Sequence, residues 1–283
     1  KIRTQHLYAA LQELSDQALH KTHDLEYYVR LLIQFSLAWQ QLPPFRNHTQ
    51  VYTKNPLFKR SILCYGYPII IQRKGNLYMD SIIFDVDGTL WDSTDSVAAA
   101  WNSAIKTHSS LDLILNRQIL GGVFGKTMTE IGDILFPSLS KKEKEKLLFA
   151  CFEYENNYLE NHPGIIYDGV ADTIQKLAEK YPLFIVSNCQ CGYIETTMKA
   201  IGITSFIKDH LCFGETNVPK GRTLRMLIER NHLTSPVYVG DTQGDADACR
   251  DADIPFIFAE YGFGNVPDAK RTIQKFSDLL DLQ

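Results

Sequence analysis

Residues 82–90, Ile82-Ile83-Phe84-Asp85-Val86-Asp87-Gly88-Thr89-Leu90, decide how this chain is read. Their apolar start predicts a short buried strand, and two carboxylates, a glycine and a threonine follow it. Carboxylates two residues apart at the end of a strand are expected to point to the same face, since side chains alternate along it, which brings Asp85 and Asp87 close enough to share a task. Like charges in one site drive their pKa values apart, so one group stays ionised while the other carries a proton. Gly88 would let backbone N–H groups approach an anion closely. The bland alternative is a turn, because Asp before Gly is common after a strand. Residues further along weigh against it.

From Ser81 onward, short apolar runs alternate with amphipathic stretches, the pattern of an α/β domain with a mainly parallel sheet. The expected strands are Ser81–Phe84, Leu183–Val186, His210–Phe213, Val237–Val239 and Pro255–Phe258, with helices at Ala171–Lys180, Ile194–Ala200 and Arg222–Asn231. Ligands of such sheets bind beyond the carboxyl ends of the strands, where Asp85, Ser187 and Asp241 fall. One block interrupts the alternation. Between Ser93 and about Asn161, the stretches Val97–Ile105, Thr127–Leu135 and Lys141–Leu159 read as helices. That is more than a crossover needs, and a helical cap over the strand ends is expected.

Four short segments in this order resemble the motifs of the haloacid dehalogenase-like superfamily of phosphotransferases. They are Asp85-Val86-Asp87-Gly88-Thr89-Leu90; Leu183-Phe184-Ile185-Val186 with Ser187-Asn188; Lys220 within Val218-Pro219-Lys220-Gly221; and Val239-Gly240-Asp241-Thr242-Gln243-Gly244-Asp245. The resemblance covers about residues 79–265. It implies a Rossmann-like parallel-sheet core, residues 79–92 and 162–283, with a helical cap, 93–161, inserted after the first strand. It also implies a nucleophile at Asp85 that forms an aspartyl-phosphate, and an acid and base at Asp87. Ser187 and Lys220 would hold the phosphoryl group, with Gly88, Thr89 and Asn188 beside it. Mg2+ would be bound by Asp85, the backbone carbonyl of Asp87, Asp241 and Asp245, the last directly or through water. Asp87 also favours phosphate esters over haloacids, since the dehalogenating members of the family lack an acid there.

Gly121-Gly122-Val123-Phe124-Gly125-Lys126-Thr127 resembles the substrate-facing loop of the cap, with Lys126 a candidate contact for an anionic leaving group and Phe124 for an apolar one. Their alternatives are a helix-start lysine and a core phenylalanine. Cys189 and Cys191 read as reduced thiols, Lys141–Lys146 as a solvated helix face, and Asp247, Asp251 and Asp253 as surface or turn residues.

Composition bounds these readings. The chain has 283 residues, 45% of them hydrophobic, which excludes collagen-like and wholly disordered classes. Six scattered cysteines form neither a disulfide framework nor a zinc array, so a reducing, cytoplasmic setting is expected. No run reaches the ~18–20 apolar residues of a membrane span, and no signal-peptide pattern stands at the start.

The net charge of -4 conceals two parts. Residues 1–78 carry 10 Lys/Arg against 4 Asp/Glu, +6, and the other 205 carry 19 against 29, -10. Residues 1–78 are expected to be a mainly helical or irregular N-terminal extension, with helical spacing between Leu7 and Trp39. It reads as a regulatory or dimerising domain, a basic nucleic-acid arm, or upstream sequence foreign to the enzyme. The basic residues are too dispersed for nucleic acid. Lys74-Gly75 must be encoded by AAR-GGN, a purine-rich stretch of ribosome-binding type, shortly before Met79. Met79 is therefore expected to be the natural start, with Lys1–Tyr78 an over-extended translation.

The expected activity is a Mg2+-dependent phosphatase acting on a small-molecule phosphate monoester, similar to phosphoglycolate phosphatase. A sugar phosphomutase of the β-phosphoglucomutase type uses the same two aspartates, and a non-catalytic regulatory protein could keep the fold. Nothing in the sequence selects an oligomeric state.

Overall fold

A computed structural model describes residues 79–281; the expectations for residues 1–78 lie outside the described residues. Six strands form one parallel sheet in the order β5-β4-β1-β6-β7-β8. They are β1 (Ser81–Phe84), β4 (Leu183–Ser187), β5 (Ile207–Cys212), β6 (Pro236–Gly240), β7 (Phe256–Ala259) and β8 (Thr272–Ile273). Strands β1, β4 and β6 are buried along their whole length, as unbroken apolar runs require when helices cover both faces. The sheet order departs in opposite directions from β1, to β4 on one side and β6 on the other. That creates a crevice at the end of β1.

Helices α5 (Val170–Ala178), α6 (Tyr193–Ile201), α8 (Lys220–Arg230) and α9 (Gln243–Ala252) accompany the sheet, with the short α7 (Phe213–Thr216) after β5. One core gathers Ile82, Phe84, Leu183, Ile185, Val237 and Val239 on one face, and a second gathers Ile83, Phe184, Val186, Leu224, Leu227 and Tyr238 on the other. The strand alternation of period two assigns neighbouring residues to opposite layers.

Between β1 and β4 lies the helical block: α1 (Thr94–His108), α2 (Arg117–Gly121), α3 (Met128–Leu135) and α4 (Lys141–Leu159). Helix α1 buries Val97, Ala98, Ala100, Trp101, Ala104 and Ile105, a stripe at three- and four-residue spacing. It meets Leu147, Leu148 and Cys151 of α4, and Trp101 packs on Phe152 with ring centroids 6.1 Å apart. Both α3 and α4 open with capping boxes, Thr127 with Glu130 and Ser140 with Glu143. The chain leaves and returns through a two-residue antiparallel pair, β2 (Trp91–Asp92) with β3 (Ile165–Ile166). A side chain on Gly164 would come within 2.9 Å of the Asp92 carbonyl, so this crossing needs glycine.

Several expectations need correction. Strand β1 stops at Phe84, so strand alternation does not relate Asp85 to Asp87. The N–H groups of Thr89 and Leu90 turn back onto the Val86 carbonyl. Strand β5 starts at Ile207, three residues before the expected His210, and Phe213 opens α7. As an edge strand, β5 carries the half-buried or exposed Lys208, Asp209 and His210, which conceal it in an apolar-run reading. Helix α9 was not anticipated, because Gln243–Ala252 holds three aspartates and a glycine, all weak helix formers. It forms where Thr242 and Asp245 cap its start and Ala248 and Cys249 bury its inner face.

Candidate active site

The ends of β1, β4 and β6 deliver Asp85, Ser187 and Asp241 to one side of the sheet, and the first turns of α8 and α9 add Lys220 and Asp245. All five are buried. The Lys220 ammonium lies 2.6 Å from Asp245 Oδ1 and 3.1 Å from Asp85 Oδ2, and 5.7 Å from the centre of the Tyr238 ring. Burial alone would depress this ammonium, but Asp245 and then Asp85 hold it well above the usual lysine value. Asp245 is pinned from its other side by the backbone N–H of Thr242 at 2.9 Å and its hydroxyl at 2.6 Å.

Asp85, Asp241 and Asp245 each bring an oxygen within 4.8 Å of the others. Desolvation pushes the Asp85 carboxyl up to about 7, opposed by Lys220 and reinforced by Asp245. Burial, then repulsion from Asp245 and Asp85, raises Asp241 well above the carboxylate range. Asp85 Oδ1 and Asp241 Oδ1 are buried with no hydrogen-bond partner among the described residues. Three carboxylates facing one ammonium, with two oxygens unsatisfied, suit a hard divalent cation that takes oxygen ligands.

The backbone is shaped around Asp241. Gly88 has φ +77°, and a Cβ there would lie 2.1 Å from Asp241 Oδ2. The Phe263 N–H donates to that oxygen at 2.7 Å, and a Cβ on the neighbouring Gly262 would sit 2.3 Å from Asp241 Cβ. This loop was missed in the sequence, although the closely spaced Gly262 and Gly264 signalled a close backbone approach. The Gly88 N–H donates to the Trp91 carbonyl at 2.9 Å, and the Thr89 N–H to Val86 at 3.2 Å. Both groups therefore serve the turn, while Thr89 Oγ1 is buried without a partner among the described residues.

Asp87 belongs to a different network. Its Oδ1 accepts from the Tyr193 hydroxyl at 2.6 Å, the Ser93 hydroxyl at 2.7 Å and the Trp91 indole at 3.2 Å. Burial raises this carboxyl to about 6 against the lowering effect of those three donors, Tyr193 first. None of the three carried a sequence signal, because each is an ordinary core residue type whose partner is fixed only by folding.

A narrow cleft opens between the core and the helical block. Asp85, Asp87, Ser187, Asn188 and Tyr193 line it from the core, and Trp101, Phe124, Lys126, Met128 and Glu155 from the helical block. Lys126 is exposed at its margin. The Asn188 amide donates to the Gly125 carbonyl at 2.9 Å, joining the end of β4 to the loop that carries Phe124 and Lys126. Phe124 meets Phe263 edge-on at 5.8 Å. Cys189 and Cys191 are free thiols, and Asp247, Asp251 and Asp253 are exposed, as expected. Among the described residues, no helix is long and apolar enough to cross a membrane.

The same order of elements recurs in known proteins. A phosphoglycolate phosphatase of Rhodobacter capsulatus is 24% identical over 210 residues, 70% of this chain and 92% of its own. Another, from Photobacterium profundum, is 25% identical over 222 residues, 71% of this chain and 94% of its own. The crystal structure of a haloacid dehalogenase-like hydrolase from Bacteroides fragilis superposes with a TM-score of 0.63 at 19% identity, covering 71% of this chain and all of that one. The sequence profile of the haloacid dehalogenase-like hydrolases matches residues 82–259, which hold all four motifs, and the chain belongs to that family.

Proposed function

We propose that this chain is a Mg2+-dependent phosphatase that hydrolyses a small-molecule phosphate monoester through an aspartyl-phosphate, a reaction of the phosphoglycolate phosphatase kind. The observation that carries it is the buried contact of Lys220 with Asp85 beside the unsatisfied oxygens of Asp85 and Asp241. A carboxylate held against an ammonium, in a cleft that also contains Asp87, suits attack on phosphorus better than attack on any neutral centre.

Asp85 is the nucleophile. Its carboxylate oxygen bonds to phosphorus as the ester P–O bond breaks, and the electron pair leaves with the alkoxide. Asp87 gives that alkoxide its proton. A water molecule then attacks the aspartyl-phosphate, Asp87 accepts the water's proton, and inorganic phosphate and free Asp85 are released. Ser187 donates a hydrogen bond to a phosphoryl oxygen, and Lys220 neutralises charge on the transferring group. Asp85, the Asp87 carbonyl, Asp241 and Asp245 would hold Mg2+, which when bound would supply the remaining charge neutralisation. The helices of residues 93–161 act as a cap that shields the core, 79–92 and 162–283, from water and presents Lys126 and Phe124 to the leaving group.

The test is Asp85→Asn. With p-nitrophenyl phosphate and Mg2+, kcat should fall by ~10⁴-fold or more, as for removal of other nucleophiles. Turnover within tenfold of the parent protein would exclude Asp85 as the nucleophile.

A further inference from the structure

Glu155 has no part in the chemistry above, yet it is a buried carboxylate that lines the same cleft as Asp85 and Asp87. It projects from α4, among Val97, Trp101, Met128 and Ile131. The Trp101 indole N–H donates to Glu155 Oε2 at 2.5 Å. Gln190, whose amide also donates to Asn156 at 3.1 Å, stands beside it. Burial raises the Glu155 carboxyl to about 7 against the lowering effects of Gln190 and Trp101, with Asp87 adding repulsion.

An ionised carboxylate has roughly four acceptor sites, so two donors leave room for a third. A carboxylate is also a costly choice if its only task is to accept from neutral side chains such as Trp101 and Gln190, since a neutral acceptor would serve with less desolvation. The other titratable groups beside it are Asp87, Tyr193 and Cys151, none of which brings a positive charge. Lys126 is the cation among the cleft-lining residues opposite Asp85, and it is exposed at the margin while Glu155 is buried.

We infer that Glu155 recognises the alcohol part of the substrate and selects phosphate monoesters whose alcohol carries a hydrogen-bond donor, a hydroxyl or an ammonium, over those that carry a carboxylate. The inference rests on the aspartyl-phosphate chemistry proposed above and departs from it in substrate, placing 2-phosphoglycolate itself among the disfavoured esters. A donor group completes the coordination of Glu155 and keeps it ionised. A second carboxylate, such as that of 2-phosphoglycolate, meets like charge in a site of low dielectric constant.

The test compares kcat/KM for glycerol phosphate, phosphoethanolamine and 2-phosphoglycolate in the parent protein and in Glu155→Gln, each with Mg2+. At least one donor ester should exceed 2-phosphoglycolate by ~10-fold or more in the parent protein, and that ratio should fall by ~10-fold in Glu155→Gln, whose amide also donates. Glycerol phosphate against phosphoethanolamine separates a hydroxyl from an ammonium. A preference for 2-phosphoglycolate in the parent protein, or an unchanged ratio in the variant, overturns the inference and leaves Glu155 as an anchor for Trp101. Should the variant not fold, the ranking in the parent protein decides alone. Hydrolysis of p-nitrophenyl phosphate is the separate control: its absence in the parent protein defeats the phosphatase reading and the inference with it.

Discussion

At the ends of β1 and β6 the cleft wall is made of charge. Lys220 pairs with Asp85 and Asp245 beside Asp241, and backbone N–H groups hold two of the three carboxylates, Phe263 on Asp241 and Thr242 on Asp245. The facing wall, from α1, α3, α4 and the loop before α3, is mostly apolar, with Glu155 as its buried charge and Lys126 at its rim. The first wall tolerates almost no change in shape, since a Cβ on Gly88 would lie 2.1 Å from Asp241 Oδ2. The second is held by side-chain packing and by a few cross-links, Asn188 to Gly125 and Asn156 to the Cys191 carbonyl. Rigid charge suits the common reaction, and an adaptable apolar surface suits discrimination among alcohols.

That contrast can be broken most severely at Lys220. Lys220→Met leaves Asp85 and Asp245 buried without their shared cation, and breaking a buried pair from one side typically costs ~3–5 kcal/mol. Chemical denaturation should report a loss of that order, with p-nitrophenyl phosphate turnover lost as well. A stability within ~1 kcal/mol of the parent protein would mean that the pair is far better solvated than its burial implies.

A smaller effect is expected at the boundary between the walls. Tyr193 donates to Asp87 and so favours its ionised form. Tyr193→Phe should therefore raise the Asp87 pKa from about 6. If Asp87 must be protonated to assist an alkyl leaving group, kcat/KM falls as pH rises through its pKa, and the variant moves that descending limb to higher pH. A pH–rate profile with an unmoved limb would assign the limb to another group. The smallest effect belongs to Lys126, which is exposed: Lys126→Ala should raise KM a few-fold with kcat nearly unchanged, as loss of uniform binding does. A fall in kcat instead would bring Lys126 into the transition state.

The difference between the walls also explains what could be read in advance. The charged wall comes from short segments that each carry their own signal: an apolar run, then Asp85, Ser187 or Asp241, each one or two residues past a strand core. Their convergence follows from the parallel sheet, which puts all such ends on one side. The helices of the opposite wall were legible as helices, Lys141–Leu159 to the residue. Glu155 was not legible as a lining residue, because a glutamate in a helix reads as solvated until the packing of α1 on α4 shows which face is covered. The relation of Asp85 to Asp87 failed for a similar reason. Where a strand ends depends on its neighbours, and β1 ends with Phe84, paired to Ile185 and Val239.

The alternation of strands and helices, the helical insertion after the first strand, and the polar segments around Asp85, Ser187, Lys220 and Asp241 were legible in the sequence. These are local patterns, set by side-chain periodicity and by turn chemistry within a few residues. Folding settled the rest: which oxygens go unsatisfied, that three donors converge on one oxygen of Asp87, and that Glu155 lines the cleft. Those outcomes depend on groups far apart in sequence, such as Tyr193 and Asp87, 106 residues apart, brought within hydrogen-bonding distance by packing against a common core.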